Sequence, residues 1–333
     1  MATLDDIAHK LGISKATVSK ALNGAKDVSK KTQQAVIEAA VELGYSRLNY
    51  STAAPRIAVF VINMDYLHPD DFGYDIIMGF RMAAEPAGYL VEVIPLTVEF
   101  QEKCHYDEYM MRSNYVGALF LGMCLRDPWI REFETCKSPT ILYDNRVSCN
   151  PNVTSIGVDN LESIRLAISH LRSLGHSKIG YLGNALEAYV YLQRYQAFST
   201  VMKELGLRAD ESVMGYNYHI NICISQHLPR LLENGCTAII CSHDVLANST
   251  MVHCSELGYR IPEDVSIVGY DDIPMSRYTK PPLTTIRQNR PALGKSAFYA
   301  LSSQLNGVPI STHLLHPELI VRSSCGAAHP ESE

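Results

Sequence analysis

Two adjacent carboxylates follow one of the most apolar segments of the chain. Asp271 and Asp272 come directly after the strand-like run VSIVGY, so we expect both side chains at the carboxyl end of a strand. Carboxylate oxygens accept hydrogen bonds and could bind the hydroxyls of a sugar or polyol. A helix N-cap in a solvated turn is the alternative for each of them, and for Asp272 neither interpretation is favoured.

Two further strand ends carry side chains that could contact a ligand. Asp244 follows the run AIICSH and opens a predicted helix, so it could either bind a ligand or cap that helix. Phe72 lies in the loop after the first predicted strand, where its ring could stack on the face of a sugar. A lone Phe in such a loop usually covers the core.

The same residues raise the question of catalysis, since Asp271 adjoins Asp272 and His243 adjoins Asp244. Neighbouring residues at a strand end point in different directions, which does not suit a shared reaction. The sequence contains no GxSxG elbow, no HExxH and no phosphate-binding GxxxxGK[ST]. We therefore expect a binding protein with no catalytic residue, no metal site and no cofactor.

Cysteine usage agrees with that expectation. The nine cysteines are odd in number and scattered without CxxC pairs. Cys124, Cys236 and Cys241 lie within or beside apolar strand-like runs. The pattern favours reduced core thiols over disulfides or metal ligands.

The beginning of the chain predicts a compact unit of three short helices. Leu4, Ile7, Ala8 and Leu11 recur at helical spacing, and Thr3 is a plausible N-cap. Gly12 turns the chain before a second helix capped by Ser14, and a third helix begins after Ser29. The outer surface of the second helix is expected to carry Lys15, Ala16, Thr17, Ser19 and Lys20. Three small helices around one core suit a reader of the DNA major groove.

Most helix pairs with polar outer residues bind no nucleic acid, so the charge distribution matters. Residues 1–50 hold seven Lys or Arg against five Asp or Glu, whereas the remaining 283 residues hold 22 against 30. The net charge of −6 therefore combines a mildly basic head with an acidic body. Hydroxyls on the second helix also suit phosphate contacts.

Several linked motifs resemble one family. The segment TLDDIAHKLGISKATVSKALNG followed by VSKKTQQAVIEAAVELGY resembles the head of the LacI/GalR family of bacterial transcription regulators. LGHSKIGYLG, GYRIPEDVSIVGYDD and PPLTTIRQ, in that order, resemble the effector domain of the same family. Their shared order along the whole chain is more specific than any single motif.

The body alternates β-rich runs with helical stretches, which predicts parallel sheets flanked by helices. The predicted strands are 57–62, 90–95, 118–122, 140–143, 178–182, 238–242, 265–269 and 284–287. The predicted helices are 74–87, 161–174, 193–205, 244–257 and 292–305. The fold class is therefore an all-α helix-turn-helix head plus an α/β body of two doubly wound lobes. We expect a DNA-binding domain at 1–46, a linker at 47–56 and a two-lobed domain for effector binding and dimerisation at 57–333.

The resemblance implies a periplasmic-binding-protein arrangement, with crossovers near Asp159, Gln288 and Ile320 and a ligand in the cleft between the lobes. Asp271 matches the first acid of the family's GYDD motif, which contacts effector. Arg194, in QRYQAF, resembles the family's arginine before a Gly-Phe pair, although Tyr195 to Phe198 replace that pair here. The expected effector-binding residues are Phe72, Arg194, Asp244, Asp271 and Asp272.

For the head, the resemblance implies that Lys15, Ala16 and Lys20 face bases. Lysines would favour guanine edges, each good pair contributing about 1–3 kcal/mol of discrimination. The resemblance places Thr17, Ser19, Asn23 and Ser29 near phosphates. The expected DNA-binding residues are Leu4, Ser14, Lys15, Ala16, Thr17, Ser19, Lys20, Asn23 and Ser29.

The linker departs from the family pattern. The family carries a Pro-Asn pair and a short hinge helix ending in a leucine that enters the minor groove, whereas this chain reads SRLNYSTAAPR. Thr52 and Pro55 disfavour a helix, and Leu48 is the leucine available. We expect a flexible tether and a weak or absent kink at the centre of the operator.

These features predict a DNA-binding regulator that responds to a small effector, a sugar, and the resemblance implies a homodimeric repressor that binds a near-palindromic operator. A nucleoside or a protein partner are alternative effectors, and a sugar-binding protein without DNA function is a further alternative.

No apolar run approaches the roughly 20 residues that span a bilayer, and the start lacks the pattern of a secretory signal. We therefore expect a cytoplasmic protein without membrane contact. The C-terminal CGAAHPESE lacks a leucine heptad, which favours a dimer over a tetramer.

Overall fold

The computed structural model describes residues 2–45 and 54–328. The chain forms two compact units. The first comprises residues 1–67, 73–156 and 291–313, and the second comprises residues 68–72, 157–290 and 314–333. None of the helices in the described ranges has the length and apolar content that crossing a bilayer requires.

The first unit begins with three helices, α1 (Leu4–Leu11), α2 (Lys15–Leu22) and α3 (Lys30–Glu42). Thr3 and Asp6 form a capping box at α1, while Ser14 and Ser29 cap the next two helices by accepting from Thr17 and Thr32 amides. Gly12 has a φ of 64°, in the left-handed region that ends α1 and permits the turn. The helices bury a common core formed by Ile7, Ala8, Val18, Ala21, Leu22, Val36, Ile37, Ala39, Ala40 and Tyr45.

A six-stranded sheet follows in the same unit. Its strands are β1 (Arg56–Val61), β2 (Leu90–Pro95), β3 (Tyr115–Leu121), β4 (Thr140–Tyr143), β5 (Val153–Val158) and β11 (Thr312–Leu315), in the order β11-β5-β4-β3-β1-β2. Its helices are α4 (Phe72–Ala84), α5 (Val98–Lys103), α6 (Tyr106–Ser113), α7 (Pro128–Glu132) and α12 (Arg290–Leu305). The pairs from β1 to β5 are parallel, as the apolar runs separated by helices predicted.

The three-helix head packs on this sheet domain through α3 and α6. Met111 of α6 packs against the core of the head, and the guanidinium of Arg112 donates to the side-chain oxygen of Gln34. The contact uses α3, so the outer face of α2 remains exposed at Lys15, Ala16 and Lys20.

The second unit contains a second six-stranded sheet. Its strands are β6 (Ile179–Gly183), β7 (Met214–Tyr216), β8 (Ala238–Cys241), β9 (Ser266–Asp271), β10 (Thr284–Arg287) and β12 (Glu318–Ile320), in the order β12-β10-β9-β8-β6-β7. Its helices are α8 (Asn160–Ser173), α9 (Tyr189–Glu204), α10 (Ile220–Glu233) and α11 (Asp244–Glu256), with a 3₁₀ turn at Pro274–Arg277. The first strand, β6, lies between β7 and β8, so the winding direction reverses there. A reversal of this kind opens a crevice at the carboxyl ends of the two strands beside it.

The predicted fold class is confirmed, and the differences concern individual elements. Strands β5, β7, β11 and β12 and helices α5, α6, α7 and α10 were not predicted. Strand β7 is only three residues long, and β11 and β12 carry exposed positions at sheet edges. None of these three strands therefore shows a long apolar run. The chain passes between the units at 67/68, 72/73, 156/157, 290/291 and 313/314, whereas the expected crossovers were near 159, 288 and 320. Leu48 and most of the predicted linker lie outside the described residues, and β1 begins at Arg56.

Candidate functional site

The exposed face of α2 carries two lysines held by neighbouring acids. Lys15 Nζ donates to Asp5 Oδ2 at 2.6 Å, and Lys20 Nζ donates to Asp27 Oδ2 at 2.5 Å. Both pairs are exposed, so they contribute little to stability and can exchange the acid for another anion. The lysines are therefore available to a polyanion that displaces Asp5 and Asp27.

The other predicted DNA-binding residues lie at the ends of the helices around this face. Ser14 and Ser29 cap α2 and α3, Asn23 follows the last residue of α2, and the hydroxyls of Ser14 and Thr17 lie 2.8 Å apart. Leu4 is half-buried and packs against the core of the head. Ala16 is exposed, while Thr17 and Ser19 are partly exposed on α2.

In the second unit, Arg194 and Asp271 lie together at the carboxyl edge of the sheet. Arg194 Nη1 is 3.6 Å from Asp271 Oδ1, which also accepts from Gln288 Nε2 at 2.7 Å. Asp271 ends β9 with a φ of 112°, a left-handed conformation that a non-glycine residue rarely adopts. Strain of this kind concentrates at functional positions, where the surrounding structure compensates for it.

Arg194 is fixed from several sides, with only 3% of its side chain exposed. Its Nε donates to Asn160 Oδ1 at 3.1 Å and its Nη1 donates to the Ser242 carbonyl at 2.6 Å. The guanidinium carbon lies 3.5 Å from the ring centroid of Tyr270. A buried cation with this many contacts is rigid, which suits the recognition of a ligand oxygen.

Burial raises the pKa of Asp271, and the charge of Arg194 and the hydrogen bond from Gln288 oppose that rise. The charge of Arg290 also opposes the rise in the pKa of Asp271. Arg290 itself lies 5.3 Å from the ring centroid of Phe72, which is half-buried at the first position of α4. Phe72 is thus connected to the same edge of the sheet through Arg290.

Asp272 faces two arginines. Its Oδ2 accepts from Arg287 Nε at 2.7 Å and its Oδ1 accepts from Arg322 Nη2 at 2.5 Å. Burial alone would raise its pKa, but the hydrogen bonds and charges of Arg322 and Arg287 lower the pKa overall. Both oxygens therefore already bind protein groups that join β10 to the segment after β12.

Asp244 is buried among hydroxyl and amide donors. It accepts from the hydroxyls of Ser276 and Thr285, both at 2.6 Å, and from the Ile273 amide at 2.9 Å. Burial, followed by the charge of Asp271, raises the pKa of Asp244 to about 7. At the first position of α11, the residue holds the 3₁₀ turn against β10.

The structure thus brings Arg194 and Asp271 into direct contact, while Asp244 and Asp272 bind other protein groups around them. Sequence reasoning missed Asn160, Gln288 and Tyr270 as members of this cluster. Asn160 and Gln288 each follow closely after a strand, and Asp271 is the last residue of one, so a position at the carboxyl end of a strand was the available signal. No disulfide joins any two cysteines in the described ranges, and the described residues include no group of three or more acids, histidines or cysteines that could hold a metal.

Comparison with known proteins identifies the family of the chain. Residues 3–47 match the family described as bacterial regulatory proteins, lacI family, and residues 168–325 match a periplasmic binding protein-like domain. The chain is 30% identical to the HTH-type transcriptional regulator MalR of Streptomyces coelicolor, over 98% of each chain. It is 29% identical to the HTH-type transcriptional repressor CytR of Escherichia coli, over 98% of this chain and 97% of that protein.

Solved structures show the same fold. The transcriptional regulator CelR in complex with cellobiose matches with a TM-score of 0.70 at 23% identity, over 97% of this chain and 100% of that one. The lac repressor dimer bound to operator and the anti-inducer ONPF matches with a TM-score of 0.67 at 24% identity, over 98% and 99%. The relatives named here are transcriptional regulators and not enzymes. The chain belongs to the LacI family of bacterial DNA-binding transcriptional regulators.

Proposed function

We propose that this regulator is a homodimeric repressor, controlled by a small neutral effector, a sugar, that binds at the carboxyl edge of the second sheet. The buried pair of Arg194 and Asp271 carries the proposal, because it places a fixed donor and an acceptor at a strand end. Carboxylate and guanidinium groups together suit hydroxyl groups, which both donate and accept. The complex of CelR with cellobiose supports a sugar.

The DNA-binding half of the proposal rests on the exposed face of α2. Lys15 and Lys20 lie on that face with exposed side chains, and Ser19 adds a hydroxyl. In a dimer, two such helices would enter successive major grooves of a near-palindromic operator. The effector would change the distance between the two heads and not the surface that touches DNA. Such a regulator acts in the cytoplasm, with the chromosome.

Binding-site selection from random duplex DNA tests this half. Lys20→Ala should flatten base preference at one position of each half-site, whereas Ser19→Ala should weaken binding to all sequences alike. Identical selectivity profiles for the two variants would contradict the assignment of Lys20 to bases and Ser19 to phosphates. Sedimentation of the free and DNA-bound protein tests the dimer.

Thermal unfolding with a panel of sugars, polyols and nucleosides tests the effector half. A ligand that binds the folded protein raises the melting temperature by mass action. Arg194→Ala should abolish the shift for the ligand that gives it. Stabilisation by nucleosides alone would replace the sugar by a nucleoside, and silence across the panel would favour a protein partner.

A further inference from the structure

A cavity of about 240 Å³ opens at the amino edge of the second sheet, within the second unit. The residues that line it include Lys178, Ile179, Met202, Arg208, Val213 and Asn234. Strand β6 runs from this edge to the carboxyl edge over five residues, a distance of about 13 Å. The cavity is therefore separate from the pair of Arg194 and Asp271.

The floor of the cavity is apolar. Ile179 begins β6, Met202 lies in α9 and Val213 precedes β7. All three residues are buried and belong to the apolar core of the second unit. A dry apolar cavity of about 150 Å³ is large enough to bind benzene. This cavity therefore has room for an aromatic ring or a short alkyl chain.

Two cationic side chains stand beside this floor. Lys178 directly precedes β6, and its Nζ atom lies 3.5 Å from where a Cβ on Gly235 would stand. Arg208 follows the end of α9. Burial raises the pKa of the Cys236 thiol to about 11, and the charges of Arg208 and Lys178 both oppose that rise. The two charges are thus close enough together to act on one group.

The acid that faces Arg208 holds it weakly. Arg208 Nε is 3.5 Å from Asp210 Oδ2, and each side chain is 62% exposed, so another anion can replace Asp210. Arg230 adds a third positive charge behind the floor, where its Nη2 donates to the Met214 carbonyl at 2.7 Å. Its Nε is buried without a hydrogen-bond partner in the described part of the chain. The carboxyl-terminal ends of α9 and α10 also attract cations, which accounts for the charges but not for the cavity beside them.

We propose that this cavity is a second ligand site, which binds a small organic carboxylate with a short apolar body. The carboxylate binds Lys178 and Arg208, and the apolar body covers the floor. A neutral sugar lacks the charge and an inorganic anion lacks the apolar body, so neither satisfies both parts of the site. The inference goes beyond the proposed function, which neither requires nor excludes a ligand at this edge.

Methyl NMR of the full chain, with labelled methionine and isoleucine methyl groups, tests the site with benzoate and hexanoate as probes. Both should shift the methyl signals of Met202 and Ile179 saturably, with dissociation constants of about 1–10 mM, as expected for ligands of this size. Benzyl alcohol, which lacks the charge, and acetate, which buries little apolar surface, should each bind about tenfold more weakly than benzoate. Inorganic phosphate should leave the two methyl signals in place.

Charge variants identify the groups that bind the carboxylate. Lys178→Gln and Arg208→Gln should each weaken benzoate binding by about three- to fivefold, because each removes one exposed charge pair. Lys203→Gln is the matched control. It removes the same charge from an exposed position on α9, next to Met202, but Lys203 does not line the cavity. This variant should bind benzoate like wild type.

Several results would overturn the inference. One is the absence of saturable shifts at Met202 and Ile179, and another is equal binding of benzoate and benzyl alcohol, or of benzoate and acetate. Equal losses in Lys178→Gln and Lys203→Gln would attribute binding to net charge and not to this site. Shifts centred on Ile273, at the opposite edge of the sheet, would place benzoate in the proposed effector site. None of these results affects the DNA and sugar binding proposed above, which are measured separately.

Discussion

The guanidinium carbon of Arg194 lies 3.5 Å from the ring centroid of Tyr270, and both side chains contact the same oxygen. Asn160 Oδ1 accepts from Arg194 Nε at 3.1 Å and from the Tyr270 hydroxyl at 3.0 Å. Asn160 begins α8, Arg194 lies in α9 and Tyr270 lies in β9. Two other elements, α8 and β9, therefore hold the arginine of α9 in one position.

Replacing Tyr270 should show how much the aromatic face contributes. Tyr270→Leu removes the ring under a buried cation, and we expect the free energy of unfolding to fall by about 3 kcal/mol. Tyr270→Phe keeps the ring and removes only the hydroxyl, so it should cost about 1 kcal/mol. Urea unfolding measures both values. Equal losses in the two variants would mean that the hydroxyl, and not the ring, stabilises Arg194.

Asp272 should make the protein sensitive to acid. Its folded-state pKa is lowered, so the ionised form stabilises the folded state at pH values above the usual carboxyl pKa of about 3.9. This contribution is lost as pH falls through the lowered pKa. Asp272→Asn should cost about 3 kcal/mol at pH 7, since it leaves Arg287 and Arg322 facing a neutral group. Denaturant titrations should show the gap to wild type narrowing below pH 4, and a constant gap would contradict the linkage.

Asp244 should have the opposite effect to Asp272 on how stability depends on pH. Burial raises its folded-state pKa to about 7, above the ordinary value of 3.8, so the folded state holds its proton more tightly. The stability that Asp244 contributes is then fully present below pH 3.8 and falls as pH rises to about 7. The difference in unfolding free energy between wild type and Asp244→Asn should follow this course. A difference that stays constant between pH 4 and 7 would show that Asp244 is ionised throughout and would contradict the raised pKa.

Local signals in the sequence were sufficient for the helix ends and the long buried strands. Ser14, Ser29 and Gly12 were predicted at their helix boundaries because capping and turning depend on one residue and its immediate neighbours. Strands β3 and β8 were predicted because continuous apolar runs report burial on both faces.

The partners of the site residues could not be predicted in this way. Arg322 binds Asp272 from 50 positions further along the chain, and Thr285 binds Asp244 from 41 positions away. Such pairs form only when strands with no local connection become neighbours in the sheet. The position of a carboxylate at a strand end was visible in the sequence, but the donors that face it were not.

The ion pair between Lys20 and Asp27 should limit DNA affinity. Asp27→Asn frees the ammonium group of Lys20 and removes a negative charge next to the phosphates, so binding at low salt should tighten by about two- to fivefold. Glu38→Gln is the control, because it removes the same charge from an exposed position on α3. Fluorescence anisotropy across a salt series measures both, and the advantage of Asp27→Asn should shrink as salt screens the charges. Equal gains in both variants would attribute the effect to net charge, and a loss of affinity in Asp27→Asn would show that Asp27 orients Lys20 for the DNA.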